Sequence, residues 1–232
     1  MSYTIHPKVR AALFDIDGTL TTGGDVWAAL VHSQDVTRVK RTWLYTTAMP
    51  HYLLSKLGLV DQAAFRDRWV RLMAWLMGGW SEPQVQAIYD QIVEGFLLLT
   101  LRPDVVEILK THKNLGHPVI LVSSMFEGMA SGFAPHVGAD EGLGSQVEVK
   151  NGRCRGRIVG HTCSGARKLD FARRYLDTHH PSLTLADCAA YADSRSDIPF
   201  LEGVSYPVAT YPDEAMREVA EARGWSVVEG DE

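Results

Sequence analysis

Apolar residues fall along this chain in two rhythms. Residues 9–15 (VRAALFD) form a short apolar run that ends in acid and is followed by Gly18, the pattern of a buried parallel strand leading into a loop. Residues 118–123 (PVILVS), 186–192 (ADCAAYA) and 206–209 repeat that form, each preceding polar residues and then a helical pattern. Helices are expected over 103–114, closed near Gly116, and over 165–176 or a little beyond. This alternation predicts an α/β fold with a parallel sheet, in which ligands bind beyond the carboxyl ends of the strands.

The second rhythm occupies residues 23–101, where helical spacing persists without a convincing strand. It predicts an inserted helical domain. Phe65, Trp69, Leu72, Met73 and Leu76 share one helical face, and Ser81, Glu82 and Pro83 make a helix start. Trp27, Trp43, Trp69, Trp75 and Trp80 all fall here and are expected to build the insert's own core, with room for one or two to line a cleft. Further on, Asn151 and Gly152 stand between alternating residues (VEVKNGRCRGRIVG), which predicts a hairpin with a type I′ turn, packed at a sheet edge.

The chain has 232 residues, 46% hydrophobic and 22% charged, the balance of a globular protein. A formal charge of -5 provides no basic field for a nucleic acid or an anionic membrane surface. Cys154, Cys163 and Cys188 are widely spaced, so reduced thiols are expected rather than a disulfide framework or a thiolate zinc site. No run approaches the roughly 20 apolar residues of a membrane span and the start lacks signal-peptide order, so the cytoplasm is the expected location.

Candidate chemistry gathers at the ends of the apolar runs. Asp15 and Asp17 close the first one (DIDGT); Asp193 and Asp197 follow another (DSRSD). An Asx-turn explains a lone Asp-Gly, but not a pair of acids after a buried strand. Four carboxylates at neighbouring strand ends repel one another and predict a hard divalent cation; oxygen-only ligands point to Mg2+. Asp197 can also cap the helix that starts at Ile198. Ser123, at the end of its run, can offer a hydroxyl beside the amides of a helix start, with Ser124 as the alternative cap, and Lys168 can bring a positive charge. The nine histidines show no metal-ligand spacing.

Taken in order, these motifs resemble those of the haloacid dehalogenase superfamily, and within it the phosphoserine phosphatase-like branch called subfamily IB. DIDGT looks like the first motif, Ser123 the second, Lys168 the third, and Asp193 with Asp197 the fourth, over residues 9–228. The resemblance implies a Rossmann-like, doubly wound parallel sheet (residues 1–22 and 102–232) carrying an α-helical cap of type C1 (residues 23–101). It implies an Mg2+-dependent phosphatase acting on a small phosphorylated metabolite, as a monomer or a homodimer. Asp15 would be the nucleophile and Asp17 the general acid and base. Gly18, Ser123, Ser124 and Lys168 would bind phosphate, and Asp15, Asp17, Asp193 and Asp197 would form the metal site. Asp25 and one of Arg66, Arg68 or Arg71, with Arg68 foremost, would set specificity. Ser124 and Met125 stand where phosphoserine phosphatases carry a glycine pair, which leaves glycerol phosphate, phosphocholine and phosphoethanolamine open beside phosphoserine. A phosphomutase or phosphotransferase, or a non-catalytic phospho-ligand binder, are the alternatives.

Overall fold

The computed structural model describes residues 3–56 and 62–230. Six parallel strands form one sheet in the order β3-β2-β1-β6-β7-β8: β1 Ala11–Phe14, β2 Val119–Phe126, β3 Glu141–Ser145, β6 Cys188–Ala192, β7 Tyr206–Thr210 and β8 Ser226–Val228. The chain builds outward from β1 to β3, then returns to place β6 against the other side of β1, with Phe14 opposite Tyr191. The direction of winding therefore reverses between β1 and β6, where an open α/β sheet forms its ligand crevice.

Strand residues are buried on both faces, and their period of two divides them between two apolar layers. Ala12, Phe14, Leu121 and Tyr191 join one; Leu13, Ile120, Val122 and Ala190 join the other. Helices cover both faces: α5 Pro103–Asn114, α6 Glu127–Val137, α7 Arg167–His179, α8 Ile198–Glu202 and α9 Glu214–Arg223. The expected strands and helices are all present. β3 and β8 were not foreseen, being short and Gly-rich (EGLGS) or partly exposed (SVV).

Four helices, α1 Ala28–His32, α2 Arg38–Lys56, α3 Gln62–Leu76 and α4 Glu82–Ile92, separate β1 from α5. α4 begins as expected: the Gln84 side chain accepts from the Ser81 amide at 2.9 Å, with proline in the first turn. Met73, Leu76, Met77 and Trp80 are buried and continuous with the layer that lies on the sheet. The tryptophans only partly follow expectation. Trp27 packs edge-on to Phe126 of β2, 5.0 Å away, and Trp43 is 45% exposed, leaning on Trp75.

The hairpin forms as β4 Val147–Lys150 and β5 Arg153–Ile158, with Asn151 and Gly152 both at positive φ. Its expected place at an edge of the main sheet is corrected: it makes its own two-stranded sheet and docks on the helical insert. The Cys154 amide donates to the Trp80 carbonyl (2.8 Å), Gly79 to Cys154 (2.9 Å) and Glu82 to Gly152 (3.2 Å). Two glycines permit this approach, since a Cβ on Gly156 would stand 3.0 Å from the Cα of Gly78.

Candidate active site

Asp15 leaves β1 with extended backbone, its amide donating to the Tyr191 carbonyl at 3.0 Å. The chain then makes one wide turn over residues 16–20, closed by the Thr21 amide on the Ile16 carbonyl. That turn carries Asp15 and Asp17 into one crevice, although strand alternation would send them apart. Gly18 sits at φ 87°, and a Cβ there would lie 2.2 Å from Asp193 Oδ2. Only glycine lets the Asp193 carboxylate come so close. Thr19 Oγ1 donates to the other Asp193 oxygen at 3.1 Å.

Lys168 enters from the first turn of α7, 1% exposed, and its Nζ lies 2.9 Å from Asp15 Oδ1 and 2.7 Å from Asp197 Oδ1. Burial works against its charge, but the two carboxylates overcome burial and hold its pKa above that of an ordinary lysine. Asp197 occupies the cap position of α8 without capping it. Its side chain instead faces Lys168, and its second oxygen accepts from Ser194 Oγ at 3.0 Å. Burial would raise Asp197, yet Lys168 and then Arg66 outweigh it, and the carboxyl stays below the usual range.

In the remaining acids burial prevails. Burial first, then Asp15, pushes Asp17 up to about 6, and burial with Asp15 and Asp197 pushes Asp193 to about 8. Burial also raises Asp15 in spite of Lys168. Asp17 Oδ1 is buried with no hydrogen-bond partner among the described residues. Carboxylate oxygens of Asp15, Asp193 and Asp197 lie within 4.8 Å of one another. This oxygen-only donor set, with more negative charge than Lys168 offsets, suits a hard divalent cation.

Ser123 is 1% exposed and lies two residues beyond Leu121, itself level with Phe14, so it flanks the end of β1. The expectation of a helix start there is corrected. β2 runs on to Phe126, its pairing with β3 shifts register between Val122 and Phe126, and α6 begins only at Glu127. Ser123 and Ser124 thus sit in the irregular end of a strand, and neither caps the helix. Ser123 Oγ accepts from the Met125 amide at 3.3 Å, and the Ser124 carbonyl accepts from Ser145.

Of the three arginines of α3, Arg66 reaches the acids: its guanidinium lies 4.0 Å from Asp197 Oδ2 and 3.4 Å from Ser194 Oγ. Arg71 pairs with Asp67 on its own helix at 2.9 Å, and Asp67 accepts from Thr162 Oγ1 at 2.6 Å. Arg68 is exposed and, two residues from Arg66, projects from the opposite side of α3. Asp25 lines a cavity in the insert together with Phe65 and Trp69.

Sequence reasoning gave no role to Thr19, Ser194 or Asp213. The first two lie inside the recognised motifs. Asp213 caps α9 by accepting from Met216, accepts from the Arg195 amide at 2.9 Å, and donates its own amide to the Asp193 carbonyl, bracing the 193–197 loop. Its signal was the acid directly ahead of a helical pattern.

The profile of the family described as haloacid dehalogenase-like hydrolase matches residues 12–202. The chain belongs to that family. A probable phosphatase of Mycobacterium tuberculosis is 25% identical over 225 residues, covering 96% of this chain and 76% of the relative. A phosphoserine phosphatase of the same organism is 28% identical over 224 residues, covering 94% and 70%. Among solved structures, a Bordetella pertussis protein of unknown function superposes with a TM-score of 0.80 at 24% identity over 95% of this chain and 98% of that one. A substrate-bound phosphoserine phosphatase gives 0.63 at 18% identity over 97% and 95%. With its family and these relatives, the chain is a phosphatase, a hydrolase of phosphoric monoesters. No helix among the described residues is long and apolar enough to cross a membrane.

Proposed function

We propose that this phosphatase hydrolyses small phosphate monoesters in the cytosol through a covalent phosphoryl-Asp15 intermediate. The observation that carries the reading is Asp15 itself, a buried carboxylate at the switch point of the sheet with Lys168 2.9 Å away. An Asp15 oxygen bonds to phosphorus as the ester P–O bond breaks, and the departing alkoxide takes the proton of Asp17. Asp17, held up to about 6, can carry that proton near neutrality. Water then attacks phosphorus and gives its proton to Asp17, and the phosphorus–Asp15 bond breaks to free the carboxylate and inorganic phosphate.

Lys168 and the Ser123 hydroxyl hold the transferred oxygens, with Gly18 and Ser124 contributing backbone around them. Asp15, Asp193 and the Asp17 carbonyl would hold Mg2+, which when bound supplies the charge that lets an anionic nucleophile approach a phosphate. Asp197 supports the site by anchoring Lys168. We divide the chain into a catalytic unit, residues 1–22 and 102–232, and a cap, residues 23–101, that shields the crevice. The phosphoserine phosphatase relatives support a small alcohol as leaving group.

The test is phosphate release from a panel of monoesters with Mg2+, run beside Asp15→Asn and with excess chelator. Turnover should fall by roughly 10^3-fold or more in the variant and vanish with chelator, returning on addition of Mg2+. Residual turnover of a few per cent in Asp15→Asn would overturn Asp15 as nucleophile, and full activity under chelation would overturn the metal.

A further inference from the structure

A cavity of about 510 Å3 opens within the insert, walled by Leu44, Tyr45, Ala48, Phe65 and Trp69 and by the adjoining Gly24 and Asp25. The Phe65 and Trp69 rings lie nearly parallel, 24° apart with centroids at 6.1 Å. Tyr45 is 41% exposed, so an aromatic face meets solvent there. Among the described residues that line the cavity, Asp25 is the one carboxylic acid, and no lysine, arginine or histidine joins it.

The cavity adjoins the catalytic loop. A Cβ on Gly23 would stand 3.5 Å from the Cα of Gly18 and 3.7 Å from Asp17 Oδ1, and Gly24 and Asp25 follow directly. Asp17 is the group that protonates the departing alcohol, so a chamber on its side is where that alcohol lies. The arginine of α3 that reaches the acids is turned to Asp197 and Ser194, and Arg71 is turned to Asp67.

We propose, resting on the phosphatase reading above, that this chamber selects phosphate monoesters of amino alcohols whose nitrogen is alkylated and weakly hydrated. The onium group would lie against Tyr45, Phe65 and Trp69, with Asp25 as its counter-charge. Aromatic faces attract a cation through the negative centre of the ring, most strongly when the cation sheds water easily. An anionic alcohol, such as one bearing a carboxylate, meets Asp25 with no cationic partner among the described lining residues.

The experiment compares kcat/KM for choline phosphate, its tert-butyl analogue in which carbon replaces nitrogen, serine phosphate, and p-nitrophenyl phosphate. Choline phosphate should exceed its neutral analogue by about tenfold. Asp25→Asn and Tyr45→Leu should each reduce that ratio, which is taken within a single variant and so is insensitive to how much protein is folded. A ratio near one, or a preference for serine phosphate, overturns the proposal. If no ester turns over, including p-nitrophenyl phosphate, the phosphatase reading fails instead. Calorimetric titration of the wild-type chain with choline phosphate and its neutral analogue then decides the cavity alone: tighter binding of the cation upholds it, and equal binding overturns it.

Discussion

The acids that end β1 and β6 and the rings that line the insert's cavity are held in different ways. Lys168 and Asp197 are buried, and each is tied to more than one partner. Tyr45 and Trp69 are at least partly exposed and are placed mainly by the helices that bear them. Reacting groups must be fixed to within fractions of an ångström, which burial and double bonding achieve. A surface that sorts alcohols needs shape and polarity more than rigidity, and exposed helical positions supply those.

The sharpest way to break this contrast is Lys168→Met. Two buried carboxylates would lose their counter-charge, and turnover should fall by about 10^2- to 10^3-fold. Stability should also fall by about 3 kcal/mol, read as a lower urea midpoint. A variant that unfolds like the wild type would show that the acids take up protons at little cost. Gly18→Ala comes next. Its Cβ has no room beside Asp193 and its φ is unfavourable for alanine, so displacement of the acid by a fraction of an ångström should cost about 10^2-fold in kcat. Unchanged kcat would mean that Asp193 needs no close approach.

Two of the three arginines of α3 then separate the regions. Arg66→Ala removes a half-exposed contact to Asp197 and Ser194 and should lower kcat/KM by about fivefold, while Arg68→Ala should change it less than about twofold. Equal effects would erase the distinction between the two faces of the helix. The smallest effect on turnover is expected behind the sheet, at His112, whose ring nitrogens contact the Tyr191 hydroxyl at 2.7 Å and His117 at 2.9 Å. Burial and then His117 lower its pKa to about 3. The folded state keeps it neutral while the unfolded chain, near 6.5, binds a proton, so its contribution is whole above pH 6.5 and is lost as pH falls toward 3. Wild-type stability should decline through that window by about 1.4 kcal/mol per pH unit more steeply than that of His112→Leu. Parallel urea midpoints across pH 7 to 4 would refute this.

The same contrast explains what could be read from the sequence. Strands buried on both faces declare themselves as unbroken apolar runs, so β1, β2, β6 and β7 were legible, and with them the acids at their ends. α5 was legible to the residue because Pro103 opens it and Gly116 lies just beyond its end. β3 was not, because EGLGS has neither an apolar run nor β-branched residues, and its glycines are set by contact: a Cβ on Gly142 would strike the Ala130 carbonyl of α6. Arg66 could not be told from Arg68 because helical spacing ranks faces only once a partner is known. The docking of the hairpin was hidden for a related reason, since backbone atoms make it and leave no mark on side-chain pattern.

That docking bears on how such proteins can exchange parts. Three main-chain bonds join residues 79–82 to residues 152–154, and Gly78 and Gly156 meet back to back. The piece that would have to travel with a transplanted helical insert is therefore discontinuous: the helices between β1 and α5 together with the ribbon 147–158. A graft that takes the first segment alone would strand three peptide groups against a foreign surface, so recombination among relatives is expected to keep the two segments from one parent.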